Sequence, residues 1–183
     1  FMMFINNPAS STVVAIEHLE GESVVVWADG MCLRDTNDEI ATFTVSSGSI
    51  TLTNSGSSYS ASQGIVGLPY KGRWKSGVLP AAASLSTPLT QRERISNIAL
   101  MIENTHNQGL KFGRSFDNMD NLPKNIKGAN VDADDVHLDI TIPAITFPGD
   151  TDPETRLYLE ANAPRPVTLL AAILGLGTYD RNP

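Results

Sequence analysis

The stretch Ile16 to Gly30, IEHLEGESVVVWADG, holds the strongest local signal in the chain. Its second half, Ser23 to Ala28, is β-branched and aromatic, a composition that packs well on a pleated surface. The turn Glu20-Gly21-Glu22 precedes it. Asp29-Gly30 follows, a pair suited to the two positive-φ positions of a type I′ hairpin turn, so two antiparallel strands should flank it.

The rest of the first 70 residues reads outward from this hairpin as short strands with turn punctuation. Thr42 to Val45, the turn Ser46-Ser47-Gly48-Ser49, and Ile50 to Leu52 make a second hairpin. Asn54 to Ser62 is a Ser/Gly-rich loop, and Gly64 to Tyr70 is a strand halted by Pro69, which cannot donate to a central ladder. At the start of the chain, Phe1-Met2-Met3-Phe4-Ile5 reads as a buried strand end. It is too short to span a bilayer and lacks the basic flank and cleavage site of a secretory signal. Phe1 stands where an initiator Met would, so the chain is expected to be part of a longer polypeptide.

From Gly77 to Pro88 small residues and prolines dominate. This divides the chain into an N-terminal lobe, 1–76, a connection, 77–89, and a second lobe, 90–183. At the start of the second lobe two patterns compete. Thr90-Gln91-Arg92-Glu93 fits a capping box, and Ile95, Ile98 and Ile102 recur at helical spacing. Yet Ile98, Leu100 and Ile102 also alternate with Asn97, Ala99, Met101 and Glu103, as in a strand, and the residues leave the choice open. Asn104 to Asp135, rich in Asn, Asp, Gly and Lys, reads as a long irregular loop with apolar anchors at Leu110, Phe112, Phe116 and Leu122. A connection of that length is expected to pack on a neighbour. Val136, Leu138, Ile140 and Ile142 alternate with polar residues, a strand with one buried face. Leu157-Tyr158-Leu159 continues the pattern after the turn Pro148-Gly149-Asp150. The uninterrupted apolar run Val167 to Leu176 reads as a strand buried on both faces. The fold class is therefore all-β: short antiparallel strands in a barrel- or sandwich-like body of two lobes, with a long irregular loop.

Composition narrows the function. Thirteen Lys and Arg against 20 Asp and Glu give a formal charge of −7 over 183 residues, which argues against a surface that grips a phosphate backbone by counterion release. Cys32 is the only cysteine, so neither an internal disulfide nor a thiolate zinc cluster can be built from this chain alone. Val167 to Leu176 is half the length a membrane helix needs, and no membrane partner is expected.

No catalytic constellation emerges. His18, His106 and His137 stand far apart, none at a spacing that puts two ligands on one helix face. Asp132, Asp134, Asp135 and Asp139 could suggest calcium, but the sixth-position Gly and closing Glu of an EF-hand loop are missing, and a solvated loop fits better. Gly64, Gly67 and Gly72 lack the Lys-Ser/Thr pair of a phosphate-binding loop. There is no Gly-x-Ser-x-Gly elbow. No enzyme activity and no cofactor are expected. Lys71, Arg73, Lys75, Arg92 and Arg94 around Trp74 form a local basic spot, better suited to a protein interface than to nucleic acid, because Trp, Tyr and Arg carry most binding energy between proteins. The candidate interface residues are Trp74, Tyr70, Arg73, Phe112 and Phe116.

Asn6-Asn7-Pro8-Ala9-Ser10-Ser11, Ile16 to Glu22 and Val24 to Gly30 resemble the HLEG and ADG signature of bacteriophage tail proteins of the nozzle, or tail tubular B, type. These are also called phage stabilisation proteins. Further matches follow in order: Gly48 to Leu52, Ile65 to Tyr70, Arg94-Ile95, Gly109 to Gly113, Phe147 to Asp150 and Ala163 to Ala171. Together they span nearly the whole chain. Two departures stand out, Ile16 where a Gly-Leu pair is usual and a loop 104–135 richer in Asn and Asp.

The resemblance implies a structural virion protein: the C-terminal part of a subunit of which six copies form a tail tube for DNA exit, and a strand at Arg94 to Glu103. It also implies adaptor or portal-proximal tail proteins and fibres, spikes or a needle as partners, with DNA passing through without specific binding. The competing expectation is a carbohydrate-binding adhesive module, with Trp27, Trp74, Tyr59 or Tyr70 stacking on sugar rings.

Overall fold

In the computed structural model, which describes residues 1–79, 92–132, 135–152 and 154–178, the described elements are β-strands apart from one turn of 3-10 helix at Glu17–Leu19. The fold is all-β and antiparallel, as the alternation of apolar and polar residues predicts. Two units divide the chain, Phe1–Tyr70 with Asn162–Arg165, and Lys71–Ala161 with Pro166–Pro183.

The first unit holds β1 (Met2–Ser10), β2 (Thr12–Val13), β3 (Ser23–Ala28), β4 (Met31–Cys32), β5 (Phe43–Thr44), β6 (Ile50–Thr51), β7 (Thr53–Asn54), β8 (Ser57–Ser58) and β9 (Ala61–Gly67). Its main sheet runs β1-β9-β3-β4, with β5 also paired to β3. The hairpin expected at Asp29-Gly30 forms: Trp27 pairs with Cys32 and Ala28 with Met31, and the two turn residues take φ of 48° and 88°. Ser47 and Gly48, at φ of 53° and 64°, make a second turn of this kind, closed by reciprocal Ser46–Ser49 backbone bonds of 3.0 and 3.1 Å. Its flanking strands do not pair with each other. β5 joins β3 and β6 joins β2, so the expected second hairpin is a corner between two sheets. The Ser/Gly-rich segment 54–62 is likewise more ordered than a loop, since β7 and β8 pair across Ser55-Gly56.

Val24, Val26 and Ala28 alternate into the core of this unit, where they meet Phe4, Ile16, Leu33, Phe43, Leu52 and Val66. The run Phe1 to Ile5 is a strand, but not a buried one. Phe4 packs inward while Met3 and Ile5 are 63% and 72% exposed, because among the described residues β1 has only β9 beside it and its side chains alternate between faces.

The second unit holds β10 (Lys71–Lys75), β11 (Glu93–His106), β12 (Leu110–Ser115), β13 (Asn118–Asn121), β14 (Asn125–Ile126), β15 (Ala129–Asn130), β16 (Val136–Thr146), β17 (Tyr158–Asn162) and β18 (Thr168–Thr178). β10 pairs with β17, so the division between units falls at Tyr70. Of the connection at 77–89, residues 80–89 lie outside the described residues. Two sheets, β16-β11-β18 and β10-β17-β12-β13, share one core in a sandwich-like arrangement. Ile98, Leu100, Ile102 and Ile142 supply one side, and Leu110, Phe112 and Leu159 the other.

Between the helix and strand patterns at the start of this lobe, the strand prevails over Glu93–His106; Thr90 and Gln91 lie outside the described residues. The i, i+3 spacing of Ile95 and Ile98 comes from a bulge. Ile95 pairs with Leu176 and Asn97 with Gly175, so Ser96 is an extra residue that returns Ile98 to the same face as Ile95. The segment 104–135 is not one irregular loop. It carries the last residues of β11, the β12–β13 ladder and the β14–β15 hairpin, which closes on Lys127-Gly128 at φ of 53° and 82°. Its polar side chains mark exposed, short strands rather than absent structure.

The apolar run at the end of the chain needs a larger correction. Among the described residues β18 is an edge strand, with only β11 beside it. Leu169, Ala172 and Leu174 pack against the core, but Leu170 and Ile173 are 57% and 58% exposed. An apolar run does not reveal which strand is central. Leu138 of β16, also expected on the buried face, is exposed as well, and Ile140 is half-buried.

Gly64 shows how closely β3, β9 and β1 approach. A Cβ there would meet the Trp27 carbonyl oxygen at 2.5 Å and Phe4 ring carbons at 2.7 and 2.8 Å. Gly64→Ala should therefore cost about 1–3 kcal/mol of stability through overpacking. Urea denaturation of the two proteins checks this.

Candidate interaction surface

His106, His137 and Asp135 take part in local hydrogen bonds. His106 is fully buried, and its Nδ1 accepts the Gln108 N–H at 3.1 Å. His137 Nε2 lies 3.1 Å from Asn107 Oδ1. Burial lowers the His137 pKa, and the nearby Asp135 charge opposes this without reversing it. His18 is exposed at the 3-10 turn. Asp135 accepts the Asp132 N–H at 3.1 Å, which builds a turn; Asp134 lies outside the described residues. Among the described residues, no group of three or more His, Cys, Asp or Glu side chains is arranged to hold a metal ion. Cys32 is buried, and its thiol donates to the Leu33 carbonyl at 3.5 Å.

Glu20 has a clear structural task. Its carboxylate accepts the N–H groups of Ser47 and Gly48 at 2.8 and 2.7 Å, while Gly21 donates to the Val45 carbonyl and Val45 donates back to Glu22. Two successive amides in a turn form a small anion-binding concavity, which the carboxylate fills. The HLEG turn is thereby fastened to the Ser47-Gly48 corner. Asp29 does similar work, accepting the Ser62 and Gln63 amides at 3.1–3.2 Å and the Tyr59 hydroxyl at 3.3 Å. Burial, then the Asp29 charge and hydrogen bond, raise the Tyr59 pKa. Glu20→Ala should lower stability by about 1 kcal/mol, since the contact is partly solvated. The shift in urea midpoint measures it.

The candidate interface residues separate into distinct environments. Along β10, Lys71, Arg73 and Lys75 share one face. Arg73 Nε donates to Glu160 Oε2 at 2.7 Å, and Lys71 Nζ lies 3.3 Å from Glu160 Oε1. Arg73 also sits 4.8 Å above the Phe116 ring, Phe116 meets Tyr158 edge-on at 5.0 Å, and Lys75 lies 5.3 Å from the Tyr158 ring centre. Cations and rings alternate into a compact polar surface, with the cation–π geometry that favours this. Phe112, by contrast, does not reach the surface. It is buried against Phe147 with centroids 6.0 Å apart, because it lies on the inward face of β12.

Trp74 projects from the opposite face of β10 and is half-exposed above a groove of about 630 Å³. Gly72, Leu159, Val167 and Leu169 to Ala172 also line it. Tyr70, in the other unit, is strongly exposed. Of the four aromatics suited to a sugar platform, Trp27 is half-buried in the main sheet and Tyr59 is held by Asp29. A smaller hollow of about 220 Å³ has walls of both signs, Lys75, Arg114 and Arg156 facing Asp150, Asp152 and Glu154. Its acidic groups already have local partners: Asp150 takes the Thr151 amide, Asp152 the Glu154 amide, and Glu154 lies 3.8 Å from Arg156. The β18 edge and the exposed face of β1 were missed by sequence reasoning, since an apolar run looks the same at the centre and at the edge of a sheet.

Glu160 responds to pH in a defined direction. Burial alone would raise its pKa, but the hydrogen bonds and charges of Arg73 and Lys71 outweigh that and hold it below the usual carboxylate value of 4.5. The ion pairs therefore stabilise the fold above about pH 4.5, and this contribution is lost as pH falls through the lowered folded-state value. Glu160→Gln should lower the urea midpoint at pH 7, and the difference from the parent should shrink steadily below pH 4.5. Denaturation curves at stepped pH measure both effects. No model of a known protein family matches the chain, and no curated protein matches it.

Proposed function

We propose that this chain is a structural virion protein, a subunit of a phage tail nozzle whose copies form a six-membered tube for DNA exit. The observation that carries this reading is the use made of the Ile16 to Gly30 signature. Glu20 and Asp29, its two most chemically capable residues, are committed to turn amides, so the segment serves as a fastening for β-structure and not as a reactive centre. The residues that carry the resemblance extend through both units, and the all-β architecture fits a conduit built from repeated modules.

Charge supports the same role. A net −7 on each copy disfavours retention of a polyanion that must slide past. The Lys71–Arg73–Lys75 strip and the exposed Trp74 and Tyr70 offer docking points for adaptor proteins and for fibres, spikes or a needle. The work of the chain in the virion tail is mechanical: to hold a channel open and carry neighbours.

Cryo-EM of the full-length subunit mixed with its adaptor ring tests the proposal. A six-fold ring stacked on the adaptor is expected. A population of monomers that does not bind the adaptor at micromolar concentration would overturn it.

A further inference from the structure

Among the described residues, five edge strands of four or more residues bound the sheets of the two units: β1, β10, β13, β16 and β18. An edge strand exposes unpaired N–H and C=O groups, and proteins guard such edges with charge, proline or bulges. β10 carries Lys71, Arg73 and Lys75, β13 carries Asp120, and β16 carries Pro143 beside a register shift. β1 and β18 differ from these. Neither has a charged residue along its length. In β1 the Pro8 and register irregularity lie beyond Ile5, which leaves Met2 to Ile5 as a regular, unguarded stretch. In β18 the extra residue is Leu170, and a second register shift, opposite Ser96 of β11, falls between Gly175 and Leu176, which leaves Ala171 to Gly175 regular.

Both strands also present apolar side chains away from their own cores. Met3 and Ile5 do so on β1, beside Ile65 of β9, and Leu170 and Ile173 do so on β18, beside Met101 of β11. The β18 segment borders the 630 Å³ groove under Trp74, which provides a seat for the side chains of an incoming strand. Uncharged, apolar, unprotected edges are aggregation hazards when left open. The same chain carries two of them, in different units.

We infer that strand β1 of one copy docks on strand β18 of a second copy, joining identical chains through two unlike edges. The match lies in shared neutrality: a charged partner would have to desolvate its charges against Leu170 and Ile173, whereas β1 brings none. Such a head-to-tail contact passes from copy to copy and closes when the rotation allows a ring. Each contact spans only a few residues and is weak alone, and closure adds strength because the last contact forms within an already assembled ring. The inference rests on the reading of the chain as a self-assembling module, and it names the surfaces that module uses.

The test is directional cross-linking in a Cys32→Ala background. Copies carrying Ile5→Cys are mixed with copies carrying Ile173→Cys and oxidised. The expected product is the mixed disulfide dimer, in at least five-fold excess over the two like-with-like dimers combined; statistical yields would overturn the inference. Because both positions are exposed, Ile5→Lys and Ile173→Lys should fold normally by circular dichroism, and each should weaken self-association at least ten-fold in sedimentation equilibrium. A change below two-fold in both would also overturn it. The two proposals fail separately. Six-fold rings with statistical disulfides sink the β1–β18 contact alone, and a selective mixed disulfide without adaptor-bound rings sinks the nozzle assignment alone.

Discussion

A chain built from strands must find a partner for every buried backbone amide on another segment, and this constraint shapes both units. A helix satisfies its own N–H groups locally, whereas a two-residue strand such as β5 or β6 has order only because another segment accepts its bonds. Glu20 solves the hardest instance. Where the chain leaves β5 and turns towards β6, the Ser47 and Gly48 amides face a carboxylate from 27 and 28 residues earlier. The HLEG turn, the corner and the start of β3 are thereby held as one piece. Asp29 repeats the device at the end of β3, where it holds the entry to β9.

In the second unit the same requirement is met by length. β11 runs fourteen residues between β16 and β18, and bulges keep its apolar face aimed at one core despite irregular spacing. The cost of having one central strand is a pair of edges. β16 carries Pro143 beside a register shift, whereas β18 and β1, among the described residues, are apolar borders without a charged residue. The proposed tube and the proposed strand docking both concern these borders, the first at the scale of the particle and the second at the scale of a few side chains.

Much of the local structure was legible. Asp29-Gly30 and Ser47-Gly48 announce positive-φ turns, and the alternation in Val136 to Ile142 announces a strand. Ser55-Gly56 and Lys127-Gly128 carry the same signal and adopt the same geometry, but their polar, Gly-rich surroundings made them look like loop. The interface candidates were less legible. Arg73, Phe116 and Trp74 reach the surface, while Phe112 turns inward, because the parity of a residue within a strand can be counted only once the strand's limits are known.

The sequence by itself determined the class of structure, the principal turns and the absence of any spacing suited to the catalytic motifs considered, because those depend on residue type and on short-range periodicity. Tertiary structure decided which strands are central and which are edges, that Glu20 and Asp29 close turns far along the chain, and that Ile95 and Ile98 share a face through a bulge. The physical reason is that pairing in a sheet is a long-range choice. A run such as Leu169 to Leu174 contains the same hydrophobic free energy wherever it lies, and only its neighbours fix whether that surface is buried in its own core or left open to another chain.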